Sequence, residues 1–377
     1  MMTSRERVLC ALNHEEPDQV PIFFGTSGAT TMLASAYERL KAYLGIKGEA
    51  KLISRTMQYA RIDEEVLLRF GSDGRPLISG PITSSLSKEI SENSFIDAWG
   101  ITWQMKPGAL YYEVMKAPLR NAAIDDLDKY PWPDLAHPDR FNGLAKEAQN
   151  IHDAGYAVVA LSGINPFEQI QLLRGMDTWM IDLVGDPDFS HALLRKVTDL
   201  MLSGTLKLLD EAGEYIDVLV MGDDLGAQNS PIISPAMYRD MIKPYHAEII
   251  SAIKKKTRAE IFYHSDGNIY PLINDLIEIG VDLLNPVQVS AKDMDDTERL
   301  KREFGDRISF NGAIDTQRVL PHGTTDDVKM EVRKRIKDLG PGGGYICSAV
   351  HCIQPDVPPE NVCAMFETVL KEGRYPL

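Results

Sequence analysis

Ile261-Phe262-Tyr263-His264-Ser265-Asp266-Gly267 is an apolar run that ends in chemically capable residues and a glycine. An apolar run buried on both faces and closed by polar residues is the pattern of a parallel strand whose C-terminal edge opens into an active site. The pattern recurs: residues 216–220 lead to Asp223 and Asp224, residues 281–284 lead to Asn285, and Tyr345-Ile346 leads to Cys347 and His351. Helix-like segments separate these runs. Residues 141–154 precede strand-like 157–161, 189–212 precede 216–220, 235–256 precede 259–263, 269–278 precede 281–284, 293–304 precede 308–310, and 325–339 precede 345–346. Repeated units of this kind, with no Rossmann-type glycine fingerprint at the first strand, predict an α/β fold, a parallel barrel rather than a dinucleotide-binding sheet. The chemistry is then expected at one barrel mouth.

Outward from this core, residues 5–12 read as a short helix, an N-terminal helical extension, and residues 20–24 as a strand ending at Gly25-Thr26-Ser27-Gly28. Residues 35–68 have mainly helical spacing. Residues 71–118 mix Gly, Pro and Ser with short alternating segments such as Ile101-Thr102-Trp103-Gln104, and read as a small hairpin-bearing insertion. Residues 358–371 are expected to form a closing helix that starts at Pro358-Pro359-Glu360-Asn361. Residues 1–377 thus read as a single barrel domain.

Composition excludes several roles. A formal net charge of -15 argues against a phosphate-backbone binder, so no nucleic-acid partner is expected. No uninterrupted apolar stretch approaches the roughly 20 residues that span a bilayer, so no membrane association is expected either. The start, Met1-Met2-Thr3-Ser4-Arg5-Glu6-Arg7, places polar residues where a secretory signal needs an apolar segment. Cys10, Cys347, Cys352 and Cys363 form no disulfide framework for a chain of this size. A reducing, cytoplasmic setting is the expectation.

His264 and Asp266 place two donors two positions apart, and Gly267 lets the chain turn sharply behind them. Cys347 and His351 end a later strand, and converging strand ends can gather ligands without a compact motif. Nitrogen, oxygen and thiolate donors with one open position suit zinc, which makes His264, Cys347 and His351 the candidate metal ligands. A hydrogen-bonded loop histidine, a buried cysteine and a capping histidine are the ordinary alternatives. Asp223 or Asp224 is a candidate to orient water or handle a proton, since a carboxylate at a confined mouth acquires a tuned pKa. Glu168, Asn285, Gln288 and Asp315 are candidates for substrate binding. Cys352 and Cys363 read as structural, and His14, His137, His152, His191 and His246 as ordinary polar contacts.

The segments Gly222-Asp223-Asp224-Leu225-Gly226, Ser234-Pro235-Ala236-Met237-Tyr238, Pro244-Tyr245, His264-Ser265-Asp266-Gly267, Leu284-Asn285-Pro286-Val287-Gln288 and Gly343-Gly344-Tyr345 resemble the uroporphyrinogen decarboxylase superfamily, which holds decarboxylases and corrinoid-dependent methyltransferases. The resemblance extends over nearly the whole chain and implies a (β/α)8 TIM barrel with a central cleft at its C-terminal face. Porphyrinogen decarboxylases of this superfamily carry an N-terminal Arg-Gln-Ala-Gly-Arg motif for propionate groups; here the region is Phe24-Gly25-Thr26-Ser27-Gly28. Methyltransferase relatives use His-x-Cys and a later Cys on zinc to activate a thiol. His264 matches the first ligand, Asp266 stands at the first cysteine position, and His351 falls near the second, with Cys347 beside it.

The resemblance therefore implies a substrate:corrinoid-protein methyltransferase, with zinc as a Lewis acid and Asp223, His264 and Asp266 in catalysis. It would move methyl from a small methylated compound, such as an aryl methyl ether, to a corrinoid on a partner protein. Decarboxylation of a non-porphyrinogen acid and non-catalytic binding of a corrinoid or small ligand are the alternatives. A homodimer is compatible with this reading.

Overall fold

The computed structural model describes residues 2–377. Its core is a seven-stranded parallel sheet: β1 (Gly74–Ile78), β2 (Ala157–Leu161), β3 (Val218–Gly222), β4 (Glu260–His264), β5 (Leu283–Val287), β6 (Ser309–Ile314) and β7 (Tyr345–Ala349). The strands lie side by side in chain order, with helices in the connections. This is a TIM-barrel-like α/β fold. Residues 20–24, expected as a strand, make isolated ladder contacts that span the gap between the sheet's two edges. Ile22 bridges Cys347 of β7 in parallel, and the Asp73 N–H, just before β1, donates to the Ile22 carbonyl at 2.8 Å.

Two boundaries differ from the sequence reading. Residues 74–78 are a strand of the main sheet, so the 71–118 segment is not wholly an insertion; the inserted part is a four-stranded antiparallel sheet running from Lys88–Ser91 to Tyr112–Lys116. The short Gly-Pro-rich context of β1 masked it, because a strand buried by its neighbours needs no alternation of its own. The 35–68 segment is two helices, Ala34–Leu44 and Glu64–Arg69, separated by a small antiparallel pair. Gly45, left-handed at φ 73°, ends the first of them.

Side chains alternate across the sheet, and the two faces bury different partners. Ala157, Val159, Val218, Phe262, Leu283 and Ile346 share one apolar cluster with Phe23 and with Val8 and Leu12 of the N-terminal helix Ser4–Leu12. That helix begins at Thr3 with a capping box to Glu6 and plugs the N-terminal end of the interior. The intervening residues, among them Val158, Leu219, Ile261, Tyr263, Leu284, Phe310, Tyr345 and Cys347, belong to the second cluster, against the helices. Among the described residues no helix is long and apolar enough to cross a membrane.

Candidate active site

Counting on by two from the inward residues brings the interior to its polar end. After Phe262 comes His264, after Leu283 comes Asn285, after Ile346 comes Ser348. His264 pairs in register with Gly222 of β3 and Asn285 of β5. Gly222 is required there: a Cβ at this position would lie 2.3 Å from the His264 carbonyl oxygen. Gly267, at φ +86°, closes the turn with its own Cβ position 2.4 Å from the Gly226 backbone, which folds Asp266 back beside His264.

A cavity of about 680 Å³ opens above these strand ends. Glu168, Asp224, His264, Asp266 and His351 line one side; Tyr59, Tyr111, Met57 and Phe262 provide apolar walls. His264, Asp266 and His351 each turn one ligand atom inward, all within 4.8 Å of one another, and the two imidazole rings are 5.4 Å apart between centroids. Asp266 Oδ2 lies 3.8 Å from His351 Nε2, while Asp224 Oδ1 lies 3.9 Å from His264 Nε2 and accepts the Asp266 N–H at 2.9 Å. Asp266 Oδ1 is buried with no hydrogen-bond partner. Burial lowers the pKa of both histidines, but the carboxylates of Asp266 and Asp224 more than reverse this for His264, which is raised; His351 stays lowered. Burial and the neighbouring Asp224 charge push the Glu168 carboxyl up to about 7.

Of the predicted metal ligands, His264 and His351 converge and Cys347 does not. Cys347 lies one residue past inward-facing Ile346, so it points outward into the helix-packed core, where burial pushes its thiol up to about 12. Asp266, expected as a catalytic group, takes the third place in the cluster. Asp223 does not line the cavity. It is buried behind it, accepting from the N–H groups of Phe167 and Glu168 at 3.0 and 2.8 Å and paired with His246 Nε2 at 2.8 Å. It thereby fixes the start of helix Pro166–Arg174, which carries Glu168. Of the other predicted substrate groups, Asn285 Oδ1 meets His264 Nδ1 at 2.6 Å, Gln288 Oε1 accepts the Gly267 N–H at 2.7 Å, and Asp315 caps the N–H groups of Gln317 and Arg318. None of these three lines the cavity. His246, read as an ordinary contact, proves to be a fully buried partner of Asp223; no local pattern links positions so far apart. Tyr59 and Tyr111 carry no local sequence signal for the cavity, because they arrive from the segments before and within the insertion.

A model of the family described as uroporphyrinogen decarboxylase (URO-D) matches residues 95–371. The chain belongs to the uroporphyrinogen decarboxylase family. Within that family it is similar to the uroporphyrinogen decarboxylase of Pelodictyon phaeoclathratiforme, at 27% identity over 193 residues, 50% of each chain. It is also similar to that of Coxiella burnetii, at 26% over 191 residues, 50% of this chain and 48% of the relative. The chain spans about half the length of these curated relatives. Among solved structures, a methyltransferase from Methanosarcina mazei has the same fold, with a TM-score of 0.67, 18% identity, and coverage of 98% of this chain and 99% of that one.

Proposed function

We propose that this family member is a methyltransferase that moves methyl from a small methylated compound, an aryl methyl ether being the leading candidate, to a corrinoid carried by a partner protein. The fold is read in full as a (β/α)8 barrel, with residues 20–24 as the strand closing the seam. The observation that carries the reading is the cluster of His264, Asp266 and His351, with one Asp266 oxygen buried and unpaired. Two imidazoles and a carboxylate form a donor set suited to zinc, and an unpaired buried carboxylate oxygen is costly unless a cation meets it. These three residues would hold the metal, which as a Lewis acid would polarise the substrate heteroatom. Tyr59, Tyr111 and Phe262 orient an aromatic or apolar substrate and exclude water. Glu168, poised near neutral pH by burial, holds or gives up a proton beside them.

The lining speaks against a substrate rich in carboxylates. Among the described residues that line the cavity none is arginine or lysine, whereas Glu168, Asp224 and Asp266 are acidic. A polyanion would meet repulsion there and find no bidentate cation.

The test is methyl transfer from a panel of aryl methyl ethers and methylamines to free cob(I)alamin, followed by loss of the Co(I) absorbance, with zinc-loaded and metal-stripped protein. Turnover that needs zinc and fails in His264→Ala and His351→Ala is expected. Full transfer by metal-free protein would overturn the metal-assisted chemistry, and carbon dioxide release from a carboxylic acid with no corrinoid present would overturn the methyltransferase reading in favour of decarboxylation.

A further inference from the structure

We propose that Asn285 and Asn311 are positioning residues that together set the tautomer of His264, and so decide which ring nitrogen faces the cavity. Both amides are fully buried on the inward face of neighbouring strands β5 and β6. Asn311 Nδ2 donates to the Ile346 carbonyl at 2.9 Å, Asn285 Nδ2 donates to Asn311 Oδ1 at 2.6 Å, and Asn285 Oδ1 lies 2.6 Å from His264 Nδ1.

The order of these bonds has one consistent direction. A backbone carbonyl only accepts, so Asn311 must turn its NH2 toward Ile346 and its oxygen toward Asn285. Ser348 Oγ lies 3.3 Å from that same oxygen and 3.0 Å from the Ala349 carbonyl, so its single hydrogen is contested between them and the Ile346 carbonyl alone sets the direction. Asn285 must then present its NH2 to Asn311, which leaves its oxygen facing the imidazole. His264 Nδ1 therefore carries the hydrogen, and Nε2 presents its lone pair to the cavity beside Asp224 and Asp266. Flipping either amide would set oxygen against oxygen in a buried site, at a cost of about 1–3 kcal/mol per unsatisfied group. The direction set at a main-chain carbonyl on β7 thus crosses two strands to reach a nitrogen on β4. A hydrogen bond to one ring nitrogen commonly fixes which nitrogen is free to ligate.

The tautomer itself is independent of any metal; its functional consequence rests on the metal-assisted reading above. Both are testable on the full chain. In metal-free protein labelled with 15N in its histidine rings, measured in the alkaline range where imidazole is neutral, wild-type His264 should show a protonated Nδ1 and a bare Nε2. Asn285→Leu and Asn311→Leu should each lose this preference, whereas Asn285→Asp, which keeps an acceptor toward Nδ1, should retain it. Zn2+ affinity, read by competition with a chromophoric chelator, should fall about 10- to 100-fold in both leucine variants. A wild-type His264 protonated on Nε2 overturns the proposal whether or not the variants fold, as does an unchanged tautomer in folded Asn311→Leu. Wild-type protein with the expected tautomer but no Zn2+ uptake would overturn the metal-assisted function and leave the relay standing.

Discussion

The two ends of the sheet interior are built from the same strands and opposite chemistries. Phe262 and His264 are neighbours on one face of β4, as are Leu283 and Asn285 on β5 and Ile346 and Ser348 on β7. Within about 7 Å, the rise of two residues, the interior passes from a plug closed by Val8, Leu12 and Phe23 to a polar layer opening on the cavity. The apolar end supplies burial free energy. The polar end spends part of it on an unpaired Asp266 oxygen and a carboxyl at Glu168 held well above its ordinary range. Stability and chemistry are therefore separable along the strand axis, and substitutions at the two ends should behave differently.

The largest effect is expected at the plug. Phe23 is fully buried in the inner cluster and belongs to the segment that spans the seam. Phe23→Ala should cost about 3–5 kcal/mol, measured as a lowered denaturant midpoint, with zinc uptake unchanged under conditions where the variant stays folded. Loss of zinc uptake in the folded variant would show that the two ends are coupled.

Glu168→Gln should act in the opposite sense on stability. The folded carboxyl titrates at about 7 instead of its ordinary 4.5, so the folded state holds its proton more tightly than the unfolded chain. Stability of metal-free wild type should then fall as pH rises from about 4.5 to 7 and stay reduced above that. The variant removes this titration. It should match wild type in acid and exceed it by up to about 3 kcal/mol in the alkaline range, while methyl transfer loses its dependence on a group near pH 7. Parallel stability profiles for the two proteins would contradict the burial of an ionisable Glu168.

Asp223 lies between the two regimes. It touches no cavity surface, yet holds the N–H of Glu168 and pairs with His246. Asp223→Asn keeps an acceptor for only one of the two backbone N–H groups, which use different carboxylate oxygens, and weakens the bond to the imidazole; it should cost about 2 kcal/mol by thermal or denaturant unfolding. The Glu168 titration should shift with it, because the start of its helix is no longer held as firmly.

What the sequence disclosed divides along the same axis. The parallel strands and the mouth were legible because apolar runs ending in Asp, His and Asn recur with helical spacers between them. His264 and His351 were legible as strand endings. Other features required three-dimensional pairing. Asp223 and Asp224 are adjacent, and only the packing of helix Lys243–Lys254, which brings His246 to Asp223, separates the buried carboxylate from the one at the cavity. Asn285 was visible as a polar strand ending, but the direction of its amide depends on Asn311, one strand over. The strand at residues 74–78 was hidden because contact with β2 and the Ile22–Asp73 seam, rather than a pattern within the strand, makes it a strand.

Cys347 is the sharpest instance and the smallest expected effect. Tyr345-Ile346-Cys347-Ser348-Ala349 is buried on both faces, so the sequence has no polar alternation to reveal which residues point inward. Register supplies the answer: Asn311 pairs with Ile346 and Gly312 with Cys347, and Ile346 lies in the inner cluster while Cys347 lies in the outer one. A one-residue change of parity converts a thiolate ligand into a core side chain, and burial keeps that thiol protonated. Cys347→Ala should therefore lower stability by about 1 kcal/mol through lost packing, with Zn2+ affinity and methyl transfer unchanged. Asp266→Ala, which changes a residue further along the polar end, should do the reverse, weakening Zn2+ binding with little loss of stability. If the cysteine variant instead lost zinc, the strand would have to present its opposite face, and the division between a plugged and an open end would fail with it.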